Sequence, residues 1–118
     1  MTGGFAPGDI LVFQIESGYG LMKVIGTDTS GAETVWHVKA YRDLFMDIET
    51  ADMAAASPES LTPEIGHVVM TERAFESTQV SVISRDSVSG EEEAAVNSWR
   101  SAPAEPTDRS IRLLLGLR

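Results

Sequence analysis

The chain has 118 residues, 42% of them hydrophobic and 23% charged, which is the composition of one ordinary globular domain and excludes wholesale disorder. Its 18 acidic and 9 basic residues give a formal net charge of -9, so most of its surface repels nucleic-acid phosphates, and the sequence contains no basic patch to offset this. The absence of cysteine excludes disulfides and thiolate metal sites. We therefore expect a partner other than nucleic acid.

The first residues, MTGGFAPGD, lack the basic and apolar regions of a secretory signal. No apolar run approaches the ~18 residues that a membrane helix requires. A chain without cysteine is also compatible with a reducing compartment. We therefore expect a soluble, cytoplasmic protein that makes no membrane contact.

Residues 7–41 are predicted to form a β-meander that follows a loose N-terminus at residues 1–6. The first strand, at 10–15, is apolar on nearly both faces, with Leu11, Phe13 and Ile15 on one face and Ile10, Val12 and Gln14 on the other. Gly18 lies in the turn that follows, where a positive φ angle is favoured. A second strand at 21–27, a polar connection at 28–33 and a third strand at 34–41 complete the meander.

Residues 42–65 are predicted to be an acidic helix and loop, because residues 43–72 contain seven carboxylates and neither Lys nor Arg. The alanine-rich stretch 51–56 favours a short helix, and Pro58 and Pro63 then impose breaks after it. Further strands are expected within 66–84, with Phe75 anchoring the stretch between them. This segment therefore adds strands to the sheet of the meander.

A helix is predicted at residues 89–101, where Ser89 and Glu92 have the spacing of a capping box and Trp99 faces the sheet. In the remaining segment, 102–118, a linker precedes the alternating Ile111, Leu113, Leu115 and Leu117. This alternation predicts a C-terminal strand at the sheet edge or a tail that pairs with another subunit. The expected fold is a single α+β domain, mainly β, with a strongly bent, barrel-like antiparallel sheet and one or two short helices.

His37 and His67 are the only histidines, and each falls in a predicted strand. Together with Asp43 or Asp47 they could form a metal site, but no spacing typical of a metal motif supports one. The carboxylates of the acidic segment form a dense run, which is typical of a solvated surface, and no nucleophile motif is present. We therefore expect no catalysis, no cofactor and no bound metal.

Aromatic residues near the ends of the predicted strands are the remaining candidates for function. Tyr, Trp and Arg are favoured anchors of protein interfaces, and we assign Trp36 to the core. The predicted contacts to a partner protein are Glu16, Tyr19, Tyr41, Arg42, Asp43, Asp47 and Glu49.

The stretch PGDILVFQIESGYGLMKVI, followed later by Asp43-Leu44-Phe45, resembles the immunity protein 26 family of bacterial toxin systems. The resemblance covers roughly the first third of the chain. The family's closing tryptophan motif has no counterpart unless Trp99 fills it. The positions that match are Gly8, Asp9, Gly18, Tyr19, Gly20, Val24 and Ile25.

This resemblance implies a small, bent β-sheet protein that binds and neutralises a toxin domain without catalysis of its own. The negative charge agrees with such a role, because a charge-complementary inhibitor associates faster with a basic toxin. Two alternatives remain. One is a homo-oligomeric structural domain that pairs through residues 111–117, and the other is a small metal-dependent enzyme that uses His37 and His67.

Overall fold

The computed structural model describes residues 4–117, and within them the chain forms one five-stranded antiparallel sheet. Residues 1–3 of the expected loose N-terminus lie outside the described residues. Across the sheet the strands follow the order β4-β3-β2-β1-β5. Their bounds are β1 Asp9–Ile15, β2 Gly18–Ser30, β3 Glu33–Phe45, β4 Pro63–Thr71 and β5 Val80–Arg85. The prediction of an α+β fold that is mainly β is confirmed.

The alternation of side chains gives the sheet two faces, each with its own apolar cluster. The first face carries Leu11, Phe13, Met22, Val24, Trp36 and Val38, and the second carries Ile10, Val12, Leu21 and Tyr41. These are the faces that the period of two predicts for β1, β2 and β3. Because β1 is apolar on both faces, helices can pack on each side of the sheet.

Short helices cover both faces. Their bounds are α1 Ile48–Ala55, α2 Glu72–Glu76, α3 Gly90–Ser101 and α4 Ile111–Leu114, with a 3₁₀ turn at Pro58–Ser60. Residues of α2 and α4 join the cluster of the first face, whereas α1 and α3 lie on the second. The chain thus has more helices than the one or two expected. α3 begins with the predicted capping box, in which the Ser89 and Glu92 side chains accept each other's backbone N–H.

The predicted C-terminal strand is wrong, because residues 111–114 form a helix. Ser110 caps this helix by accepting the backbone N–H of Leu113, and Ile111 is only 1% exposed within the core of the first face. Leu114 and Leu115 pack against the same cluster. Spacings of three and four residues therefore place the apolar side chains on one helical face, and this burial outweighs the alternating pattern. Pairing with another subunit through residues 111–117 stays a prediction, but residues 111–114 are not extended in this structure.

The sheet is open rather than barrel-like, because β4 and β5 do not pair with each other within residues 4–117. The β2–β3 hairpin is longer than predicted, since β2 continues to Ser30 and β3 to Phe45. Irregular register interrupts both β2–β3 and β3–β4 pairing, which bends the strands locally. None of the helices within residues 4–117 has the length and apolar content needed to cross a bilayer.

Gly18, which was predicted to lie within the turn, is instead the first residue of β2 and directly follows a two-residue turn. Its φ angle is 158°, and a Cβ atom there would collide with the carbonyl oxygen of Phe45. Close approach of β3, rather than the φ angle alone, therefore excludes a side chain. This contact fixes the end of the hairpin beside the start of α1.

Candidate functional site

A groove lies on the second face of the sheet, between α1 and β5. It has a volume of about 590 Å³ and is lined by residues of β1, by Tyr19 of β2, by α1 and by residues 79–83. We call it the docking groove. Val12 and Ile83 contribute apolar surface, and Ile48 contributes an apolar side chain that is 45% exposed. A concave, partly apolar surface of this size is typical of binding sites.

The wall that α1 contributes to the docking groove is acidic. Glu49 and Asp52 line it, and neither Lys nor Arg occurs among the lining residues. Asp47 caps α1 by accepting the N–H of Thr50 at 2.8 Å. Hydrogen bonds from the backbone and side chain of Thr50 hold the pKa of Asp47 below its ordinary value, so this carboxylate is charged at neutral pH.

Exposed apolar side chains are concentrated around α1. Six large hydrophobic residues of the described chain stand out as exposed, and four of them fall within residues 44–53. Met46 is 89% exposed and Met53 is 74% exposed, so neither contributes to the core. A fifth, Val82, lines the docking groove. Exposed apolar side chains grouped in this way are typical of interaction surfaces.

The structure separates the seven predicted partner contacts. Tyr19 and Glu49 line the docking groove, Asp47 caps the helix beside it, and Glu16 lies in the exposed turn between β1 and β2. Arg42 and Asp43 are engaged elsewhere. The Nε atom of Arg42 donates to Glu64 at 2.9 Å, and Asp43 accepts the N–H of Thr62 at 2.6 Å.

The prediction that Tyr41 forms a surface contact is wrong. Its side chain is 3% exposed and belongs to the apolar cluster of the second face, beneath α1. Burial raises the pKa of Tyr41 to about 12, and the charges of Glu92 and Asp86 add to this effect. The alternation in β3 places Tyr41 on the second face of the sheet. The sequence did not show that α1 packs over this face, and this packing is what buries Tyr41.

Behind Tyr41, a buried ion cluster joins α3 to the sheet. Lys23 of β2 and Lys39 of β3 are directly opposite each other, and Glu92 of α3 accepts a hydrogen bond of 2.9 Å from each. Lys23 also donates to Asp86 at 3.0 Å. Burial alone would raise the pKa of Glu92. Hydrogen bonds from the Ser89 backbone and the two lysines together have the larger effect and lower this pKa to about 2. Glu92 is therefore ionised at neutral pH, and its hydrogen bonds to the two lysines hold α3 against the sheet.

The two histidines that sequence analysis singled out are in contact. Nδ1 of His37 lies 2.8 Å from Nε2 of His67, and their rings are stacked. Nε2 of His37 lies 2.8 Å from Oδ2 of Asp28, which in turn accepts from Arg100 of α3. We call Arg100, Asp28, His37 and His67 the histidine chain. Trp99 packs edge-on against His37, so the prediction that this tryptophan holds α3 to the sheet is confirmed.

Geometry fixes the direction of the hydrogen bonds in the histidine chain. A carboxylate only accepts, so Nε2 of His37 donates to Asp28, and Nδ1 then accepts from Nε2 of His67. Burial lowers the pKa of both histidines, and the Asp28 charge only partly offsets this for His37. The pair is therefore neutral at pH 7. Burial alone would raise the pKa of Asp28, but hydrogen bonds from Arg100 and His37 hold it low.

The histidine chain does not have the form of a metal site. Nδ1 of His37 and Nε2 of His67 are joined by a hydrogen bond, and Nε2 of His37 donates to Asp28. Asp43 and Asp47, the carboxylates expected to complete a site, are engaged with Thr62 and Thr50. Within residues 4–117, no group of three or more potential ligands is arranged around a common point. Sequence reasoning missed Asp28 because the polar stretch 28–33 resembled a loop, although Asp28 is paired within β2.

Comparison with protein-family models, with curated proteins and with solved structures gives no match for this chain. The function is therefore inferred from the two arrangements described above. Of these, the docking groove opens to solvent and carries exposed apolar and acidic side chains, whereas the hydrogen bonds of the histidine chain are made within the protein.

Proposed function

We propose that the protein is a non-enzymatic binding module, which receives a basic partner protein at the docking groove. The observation that carries the proposal is the coincidence of exposed apolar side chains with an acidic wall that holds no balancing cation. Apolar surface supplies affinity, and charge complementarity supplies the rate of association and the choice of partner. The resemblance of residues 7–25 to immunity proteins supports a toxin domain as this partner.

A nuclease toxin acts on nucleic acid inside the cell, so an immunity protein that neutralises it would act in the cytoplasm. The chain contains no cysteine and needs no oxidising compartment. Nuclease toxins are often basic, and the net charge of -9 favours association with them through long-range attraction.

The binding proposal is tested by selecting twelve-residue peptides from a random display library, with the full chain as the immobilised target. We expect enrichment of peptides that combine Lys or Arg with apolar residues. Replacing Ile48 with Ser should weaken binding about tenfold, because Ile48 is a partly exposed wall of the docking groove. Leu113→Ser is the matched control, since Leu113 is 68% exposed on α4. Equal loss in both variants, or in neither, would contradict the proposed site.

The electrostatic part of the proposal has a separate test. The double variant Glu49→Gln, Asp52→Asn should weaken binding of the selected peptides and reduce its dependence on salt. Glu91→Gln, Glu93→Gln is the control, because it removes the same charge from the exposed side of α3. If both double variants weaken binding equally, net charge rather than the groove attracts the partner.

The toxin-specific part is tested by co-expression with the product of the adjoining reading frame. Growth arrest by that product, relieved by this protein and not by Ile48→Ser, is the expected result. A metabolic enzyme in that position would remove the immunity role and leave the binding proposal intact.

A metal-dependent enzyme is the second candidate, favoured by the contact between His37 and His67. Zinc or nickel binding at this pair would require the proton of this hydrogen bond to leave. The test is the melting temperature with and without each ion. Stabilisation that disappears in His67→Gln would favour this candidate, and unchanged melting would remove it.

A further inference from the structure

The two edges of the sheet differ in how they are covered. At the β4 edge, Thr107 forms a parallel bridge with Met70, and its N–H donates to the carbonyl of Val69 at 2.8 Å. The N–H of Thr71 donates to the carbonyl of Thr107 at 2.9 Å. Pro63, which has no N–H, begins the strand. Both a covering segment and an edge proline are devices that prevent further strand pairing.

The β5 edge has neither device. β5 pairs with β1 on one side, and within residues 4–117 no strand pairs with its other side. Its sequence, VSVISR, contains no proline, and its single charge is the terminal Arg85. Val82 is 40% exposed. An edge strand that is rich in β-branched residues, carries charge only at its end and is unpaired within residues 4–117 is competent to accept another strand.

This open edge lies along the docking groove. Residues 79–83 line the groove, and Ser81, opposite Val12 of β1, shares the face that α1 covers. A strand added beside β5 would direct every second side chain to that face, toward Ile48 and the carboxylates of Glu49 and Asp52. The groove and the edge are thus positioned to bind the side chains and the backbone of one extended segment.

We propose that the partner contributes an extended segment that pairs with the open edge of β5 as a sixth strand. β5 has six residues and spans roughly 20 Å, so a segment of about six residues fills it. The segment alternates, with apolar and basic side chains on the groove side, because that wall combines Ile48 with two carboxylates. This inference rests on the proposed function, since it specifies how the partner occupies the docking groove.

A selected peptide from the display library is the probe. Methylation of alternate backbone nitrogens produces two versions of it, and in an added strand only one set of N–H groups faces β5. We expect one version to bind at least about tenfold more weakly and the other to retain affinity. Amide hydrogen exchange should also show protection of alternate N–H groups in β5 when the parent peptide is bound.

The outcomes separate this inference from the proposed function. If both methylated versions bind like the parent while Ile48→Ser still weakens binding, the groove is the site and strand addition is wrong. If neither methylation nor Ile48→Ser has an effect, both proposals fail. If the free protein sediments as a dimer that Val82→Lys separates, the occupant is a second copy, which also overturns a basic partner segment.

Discussion

Lys23 occupies a position in β2 that the alternation assigns to the buried second face, and its side chain is only 1% exposed. A buried ammonium group is tolerated only when its donors are paired. Lys23 donates to Asp86, to the carbonyl of Ser87 and to Glu92. The residue therefore connects β2 to both ends of the segment that leads into α3. Replacing Glu92, which also pairs with Lys39, would leave the ammonium group of Lys23 without its buried carboxylate partner.

Glu92→Gln is expected to lower the free energy of unfolding at pH 7 by about 3 kcal/mol, since the pKa of Glu92 falls from 4.5 to about 2 on folding. A carboxylate with a lowered pKa stabilises the fold above pH 4.5 and loses this contribution as the pH falls toward 2. The difference between the variant and the parent should therefore narrow over that interval. Urea denaturation at several pH values measures it.

Glu93→Gln is the control for this substitution, because Glu93 is exposed in the same helical turn. It should change the unfolding free energy by less than about 0.5 kcal/mol. A difference between Glu92→Gln and the parent that stays constant down to pH 2 would contradict the assignment of the stabilising charge to Glu92.

The histidine chain predicts a second pH dependence. Because the pKa values of His37 and His67 are lowered on folding, the unfolded chain takes up protons first as the pH falls below about 6.5. The stabilising effect of neutral histidines is therefore complete above that pH and is lost below it. Nitrogen-15 titration of the imidazoles should place both midpoints below 6.5.

In His67→Gln, the amide group of the introduced glutamine can replace the imidazole N–H as the donor to Nδ1 of His37. We expect this variant to have a smaller loss of stability between pH 6.5 and 5 than the parent, since one titrating group is removed. A steeper loss in His67→Gln would mean that His67 is protonated in the folded state and that the pair shares a charge.

At the scale of the elements, α4 shows how the terminal segment contributes to the core. Ile111→Ala should reduce the unfolding free energy by about 2–5 kcal/mol, because its side chain is 1% exposed among the residues of the first face. Leu113→Ala, in the same helix and 68% exposed, is the control and should cost less than about 0.5 kcal/mol. Thermal or urea denaturation distinguishes them, and similar losses would favour an extended terminal segment.

Local patterns predicted most elements of this fold. Ser89 and Glu92 identified the start of α3, and the alternation in residues 10–15 assigned both faces of β1. In residues 111–117 the run of leucines fits both the period of two of a strand and the period of 3.6 of a helix. Hydrophobicity alone therefore did not distinguish a strand from a helix. The deciding signal was Ser110, an N-cap residue immediately before the apolar run.

At the scale of the whole molecule, strand register was the missing information. His37 and His67 were each assigned to a strand, but their contact depends on the pairing of β3 with β4. Likewise, Tyr41 was predicted to be a surface contact, because the sequence did not show that α1 packs over this face of β3. β3 and β4 are not joined by a tight turn that would set their register, so their pairing depends on how the rest of the chain packs. The docking groove, which α1 and β5 form together, could not be derived for the same reason.

The segment that covers the β4 edge is held by side-chain hydrogen bonds as well as by its backbone bridge. Asp108 accepts hydrogen bonds from Thr71 and Arg73 next to the bridge at Thr107. Asp108→Ala should therefore increase amide exchange at Thr71 and Thr107 about three- to fivefold, with Glu105→Ala as the control. Unchanged exchange would show that the backbone bridge alone holds the segment.

The unequal edges also limit how copies of this protein can assemble. A sheet with two open edges can grow without end, because each added copy presents a new edge. Within residues 4–117, Thr107 and Pro63 protect the β4 edge, and the β5 edge has neither a covering segment nor a proline. Pairing of β5 with β5 of a second copy would use both open edges at once. Assembly through the edges of this sheet would therefore stop at two chains.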